Sequence, residues 1–182
     1  MKTRASQSAP DEKRDLKMTD SSSIMDQKLI RITVNNERYE LLVRPNWTLA
    51  FVLREKLGFT GVKLACDNGA CGSCTVLMED EAILSCMKLA IECDRKHILT
   101  IEGLSHGTQI HPIQQAWLEA HGTQCGFCAP GMIMTTKALL DKIPDPTESQ
   151  VREALAGNIC RCGNYDQIIQ AALSGSRKIR EK

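Results

Sequence analysis

The sequence predicts an α+β protein in two parts. Residues 28–102 read as a small mixed sheet with a helix packed across it, compatible with a β-grasp, and residues 103–178 read as helical. Apolar residues alternate with polar ones through Ile30, Ile32 and Val34, and again through Tyr39, Leu41 and Val43, which is the period of a half-buried strand. From Gly103 onward the spacing becomes helical, as in Ile110, Ile113 and Trp117. A third observation divides the chain in the same way: a group of four cysteines falls in each part.

Residues 1–27 are polar, charged and rich in serine. Such a segment buries too little apolar surface to offset its ordering entropy, so a disordered tail, or one ordered against a partner, is expected. The strand from Lys28 to Val34 is followed by Asn35-Asn36, a tight-turn pair, and by the return strand. Thr48 can N-cap a helix in which Leu49, Val52, Leu53 and Leu57 share one face, and Gly58 can close it. Thr75 to Met78 reads as a strand, Glu79-Asp80 as its turn and Ala82 to Leu84 as the return. A short helix from Met87 to Glu92 and a strand from His97 to Ile101 complete the first part. In the second part Pro112 starts a helix with Gly122 past its end, and Pro130 starts one that runs through Leu140 and stops before Pro144. Thr147 and Gln150 form a capping box for a third helix containing Val151 and Leu155, which Gly157-Asn158 ends. Tyr165 to Ser174 reads as a fourth, and residues 179–182 as a tail.

The first cysteine group is Cys66, Cys71 and Cys74 on one short loop, then Cys86. The spacing C-x4-C-x2-C with a distant fourth cysteine is the plant-type pattern for a [2Fe–2S] cluster. Gly69 and Gly72 between the ligands let backbone N–H groups approach the sulfurs, where they offset negative charge. The second group is Cys125 and Cys128, then Cys160 and Cys162. A zinc knuckle is the alternative for this second site, although C-x-C is an awkward half-site for tetrahedral zinc. Each pair falls at a helix start or between helices, where amide-rich N-termini face a negative cluster. Cys93 belongs to neither group and reads as a small buried hydrophobe.

The formal net charge is +1, so nothing points to nucleic acid or an anionic membrane. There is no apolar run of membrane-spanning length and no apolar stretch of a secretory signal near the N-terminus. Reduced thiols in metal-type spacing then favour the cytoplasm. No Gly-rich dinucleotide or phosphate motif is visible in the chain. His97, His106, His111 and His121 are scattered and read as surface or packing residues. No nucleophile–base pair stands out, which fits a relay better than a catalyst.

The sequence resembles the iron–sulfur small subunit of the xanthine oxidase family of molybdenum hydroxylases. The matching stretches are Leu53 to Gly58, Thr60 to Lys63, Cys66 to Val76, Gln124 to Gly131 and Asn158 to Tyr165, within a resemblance from about Leu29 to about Lys178. Departures include Ala65, Ala129 and the run Cys162-Gly163-Asn164-Tyr165; none removes a ligand. The resemblance implies a plant-ferredoxin-like N-terminal domain and a four-helix C-terminal domain, each with one [2Fe–2S] cluster. Its partners would be a large molybdopterin-binding subunit and a medium FAD-binding subunit, in a heterotrimer or a dimer of heterotrimers. The chain would relay electrons from molybdenum to FAD or another acceptor and would not be catalytic alone. The resemblance places the second cluster next to the molybdopterin and the first toward the flavin. Gln124 would hydrogen-bond the pterin, and Cys162 would bind iron beside it; the alternative for Gln124 is a helix cap. A stand-alone two-cluster ferredoxin and a zinc-stabilised interaction module are the alternative functions.

Overall fold

A computed structural model describes residues 27–105 and 107–181. The expected tail, apart from Gln27, and His106 lie outside the described residues. The architecture is mixed α+β, with five strands in one sheet and helices around it. β1 (Lys28–Val34) and β2 (Glu37–Val43) pair antiparallel, from Lys28↔Val43 to Val34↔Glu37. That register leaves a two-residue turn, and Asn35 and Asn36 both take positive φ, 51° and 72°. The mirror-image turn suits the right-handed twist of the strands. The same device joins β3 (Thr75–Met78) to β4 (Glu81–Leu84), with Glu79 at 53° and Asp80 at 65°. β5 (His97–Leu99) runs parallel to β1 and antiparallel to β3, giving the order β2-β1-β5-β3-β4.

Thr48 does cap the first helix, accepting from the Phe51 N–H at 3.2 Å. α1 (Leu49–Phe51) then widens into a π-helical turn, Val52–Lys56, and Gly58 at φ 78° closes it. Leu49, Val52 and Leu53 are fully buried against Ile30, Ile32, Val76 and Ile98. This core fills one face of the sheet. On the other face α3 (Ala129–Lys142) lies against β3 and β4, with α2 (Pro112–Glu119), α4 (Glu148–Ala154) and α5 (Tyr165–Arg180) packed around it, while at β1 and β2 that face is open, with Leu29 and Leu42 exposed. The core of these helices holds Ile113, Trp117, Met132, Met134 and Ile168, and it takes in Leu77 from β3. Val76 and Leu77 point to opposite faces, so β3 is buried on both, which explains its unbroken apolar run. The Thr147–Gln150 capping box forms as expected, with the Thr147 N–H donating to Gln150 Oε1 at 2.8 Å.

Three expectations are corrected. The short helix expected over 87–92 is two 3-10 turns, Ser85–Met87 and Ala90–Cys93. Between them the Leu49 N–H donates to Lys88 O at 2.7 Å and the Ala90 N–H to Trp47 O at 2.9 Å, so pairing with a distant segment replaces local helix. The strand expected to reach Ile101 stops at Leu99, because the Thr100 N–H donates to Asn35 Oδ1 at 2.9 Å and Ile101–Gly103 turns as 3-10 helix. The last helix continues to Arg180, where Lys178 pairs with Glu119 and Arg180 with Asp145. No helix of the described residues is long and apolar enough to cross a membrane.

Candidate metal centres

The first cysteine loop is held from both ends. Before it, Arg54 Nη1 donates to Thr60 O at 3.2 Å and Val62 O at 2.5 Å, and the Gly61 N–H donates to Glu102 Oε1 at 2.7 Å. After it, Cys74 leads into β3, and the Ser85 hydroxyl donates to Cys74 O at 2.6 Å, which sets Cys86 beside Cys74. The thiols stand as two pairs. Cys66 is hydrogen-bonded to Cys71 and Cys86 to Cys74, and Cys86 feels the charge of Cys66. The Asn68 N–H, then the Cys71 thiol, with the Ala70 and Cys71 N–H groups behind them, pull Cys66 down to about 7. Burial, then Cys74, pushes Cys86 up to about 12, against one N–H from Gly69.

The second site repeats the arrangement with other elements. Cys125 and Cys128 lie in the turn before α3, and Cys128 is its N-cap residue. Cys160 and Cys162 lie between the 3-10 turn Leu155–Gly157 and α5. The Tyr165 hydroxyl at the start of α5 accepts the Cys160 N–H at 2.9 Å. Cys125 is hydrogen-bonded to Cys162 and Cys128 to Cys160, with Cys160 also charge-coupled to Cys125. The Phe127 N–H and then Cys162 lower Cys125. Burial, then Cys160, pushes Cys128 up to about 12. Burial is the largest influence on Cys160 and opposes its ionisation, but the Asn164 N–H, the Cys128 thiol, and the Cys162 and Gly163 N–H groups together outweigh it and lower that thiol.

Each quartet is therefore two pairs with backbone N–H donors turned toward them; these donors help lower Cys66, Cys125 and Cys160, whereas burial outweighs them at Cys86 and Cys128. No three described His, Cys, Asp or Glu side chains converge on one metal position. Two pairs match a cluster of two irons better than a single tetrahedral ion. The sites differ in exposure: Cys74 and Cys86 are buried, whereas Cys125 and Cys162 are exposed, beside Phe127 at 44%, Ile159 at 51% and Tyr165 at 38%. They also touch: the Ile159 N–H donates to Cys71 O at 2.9 Å.

Cys93 lies outside both quartets, fully buried, its thiol donating to Leu89 O at 3.4 Å and pushed up to about 11 by burial. His111 caps α2, with Nδ1 accepting the Ile113 N–H at 3.2 Å. Gln124 is exposed, and its Nε2 donates to Asn164 Oδ1 at 3.4 Å. It does not cap α3, whose N-cap has no side-chain hydrogen bond. Asn164 in turn donates to His121 O at 2.9 Å. The sequence reading did not single out Asn164, Ser85 or the Tyr165 hydroxyl. Only the Asn158–Tyr165 stretch pointed toward the two that belong to the second site.

Residues 32–98 match the family model of a 2Fe-2S iron-sulfur cluster binding domain, and residues 100–173 that of a [2Fe-2S] binding domain. The nicotinate dehydrogenase small FeS subunit of Eubacterium barkeri is 42% identical over 144 residues, covering 79% of this chain and 92% of that one. The chain belongs to the small iron–sulfur subunits of the xanthine oxidase family. This small subunit is also 42% identical to the nicotine 6-hydroxylase small subunit of Paenarthrobacter nicotinovorans, over 86% of this chain and 94% of that one. Quinoline 2-oxidoreductase from Pseudomonas putida 86 superposes with a TM-score of 0.82 at 37% identity, covering 86% of this chain and 98% of the matched chain. As a member of the family, the small subunit serves electron transfer in a molybdenum hydroxylase complex and is the iron–sulfur part of that oxidoreductase.

Proposed function

We propose that Cys66, Cys71, Cys74 and Cys86 ligate one [2Fe–2S] cluster and Cys125, Cys128, Cys160 and Cys162 a second, with each hydrogen-bonded thiol pair serving one iron. The observation that carries this is the two-and-two arrangement of both quartets beneath backbone N–H donors. The same pairing weighs against a zinc module. The clusters supply one-electron storage when bound; the chain holds them, spaces them and shields them from water. Residues 28–102 act as a β-grasp, ferredoxin-like domain and residues 103–178 as a four-helix domain, with α5 running two residues past that boundary.

The order of the relay runs from the second site to the first. Exposed thiols among exposed apolar side chains suit a surface that becomes dry on assembly. A large subunit carrying molybdopterin is the partner this surface fits, with Gln124 and Cys162 at the contact. Asn164 engages one Gln124 N–H, which leaves the amide oxygen and the second N–H to meet a pterin edge. A medium FAD subunit then takes electrons from the first site, in a heterotrimer or its dimer in the cytoplasm.

Purified alone and loaded with iron and sulfide, the chain is expected to show visible absorption that dithionite bleaches and air restores. It should turn over no aldehyde, purine or N-heterocycle. Zinc in place of iron and labile sulfide, or hydroxylase turnover without a large subunit, would contradict the proposal.

A further inference from the structure

Asn158 sits between the end of the α4 segment and Cys160, and it is 5% exposed. Its Nδ2 donates to Gly72 O, in the first cysteine loop, at 3.0 Å. Its Oδ1 accepts from the Thr135 hydroxyl on α3 at 3.0 Å, a proton that hydroxyl shares with Gly131 O, also at 3.0 Å. A carbonyl can only accept, so the amide has one workable orientation and both ends are engaged. Gly72 has a φ of 70°, and a Cβ there would lie 2.5 Å from Asn158 Nδ2 and 2.6 Å from Gly157 O. One residue on, the Ile159 N–H meets Cys71 O at 2.9 Å. A single hydrogen bond thus joins a cysteine of the first quartet to the neighbour of Cys160 in the second. Bonded and hydrogen-bonded atoms couple two redox centres better than a gap of the same length.

We propose that Asn158 is a positioning residue for electron transfer between the two sites, clamping the Cys71 carbonyl onto the Ile159 N–H. This rests on the reading that both quartets carry clusters. The Asn158 side-chain hydrogen bonds go to Gly72 O and Thr135, neither of them a cysteine. Asn158 acts by spanning Thr135 and Gly72, so its loss leaves all eight thiols in place and loosens only the junction.

The test uses the full chain with both clusters loaded. In Asn158→Ala, iron and sulfide content and the midpoint potential of each cluster should match the unsubstituted chain. The magnetic interaction between the two reduced clusters, read by electron paramagnetic resonance, should weaken. Transfer between clusters after flash reduction should slow about tenfold or more, the scale on which small misplacements of reacting groups act. Thr135→Val frees one end of the Asn158 amide and should give a smaller slowing in the same direction. If Asn158→Ala does not fold, Thr135→Val decides. Unchanged coupling and rate overturn the proposal, and so does loss of iron from either quartet in a folded Asn158 variant, which would make Asn158 an assembly residue. An unsubstituted chain that takes up no iron overturns the underlying reading, and that failure is seen before any variant is made.

Discussion

Cys160→Ala is expected to lose about half of the iron and labile sulfide, the complement of one of two Cys₄-held clusters. Cys160 is buried, hydrogen-bonded to Cys128 and surrounded by the N–H groups of Asn164, Cys162 and Gly163. Alanine leaves one iron with a single protein thiolate and opens that position to water. The loss should be confined to the second site, because the first quartet draws its thiols from the Cys66–Cys74 loop and Cys86. The visible absorption should fall in proportion, and one of two reduced-cluster resonances should vanish. Cys93→Ser is the control: Cys93 is fully buried, its nearest polar contact is Leu89 O, and serine keeps a donor there. It should retain both resonances. Equal iron in Cys160→Ala and the unsubstituted chain, or halved iron in Cys93→Ser, would break the assignment of the quartets.

Gly131→Ala is expected to be the most damaging of the one-methyl changes. Gly131 lies in the first turn of α3, and a Cβ there would overlap Gly72 O and come within 3.0 Å of Ser73 Cα. Both neighbours are backbone, in a loop already fixed by Asn158 and by Thr75, whose hydroxyl donates to Gly72 O at 2.7 Å. Neither loop nor helix can yield without moving thiols. Overpacking of this kind costs about 3 kcal/mol or more, a fall in Tm on the order of 6–12 °C for a chain of this size. Gly157→Ala, nearby but with nothing within 4 Å of its added carbon, should stay within about 0.5 kcal/mol. Thermal unfolding of the two loaded variants side by side checks this. Equal melting temperatures would mean that α3 and the first loop are less closely seated than the geometry requires.

What the sequence made legible was what local pattern encodes. Ile30, Ile32 and Val34 alternate because one face of β1 meets the core, and Asn35-Asn36 takes the positive φ that its hairpin needs. Thr147 and Gln150 satisfy each other three residues apart, so their capping box reads directly from the chain. The short spacings from Cys66 to Cys74 and between Cys125 and Cys128 are local too, and each lies within residues that match a 2Fe-2S domain. Partners distant in sequence left no such mark. Asn158 finds Gly72 across 86 residues, and by sequence it marked the end of a helix and the start of the Asn158–Tyr165 stretch, with nothing to point to Gly72. Leu89 and Ala90 lie in a segment expected to be helical, yet that backbone pairs with Trp47 to Leu49. Gln124 preceded a helix and could have capped it; Asn164, forty residues on, holds its amide instead.

In the proposed order of the two centres, the Cys125–Cys162 site faces molybdenum. In the assembled complex, partial reduction should give a Mo(V) resonance split by one nearby reduced cluster. Replacing Cys125 should abolish that splitting in a complex that still assembles. Replacing Cys66 should leave the splitting and block delivery of electrons to the acceptor. Splitting that disappears with Cys66 and survives loss of Cys125 would contradict the account, because the first site would then be the one beside molybdenum.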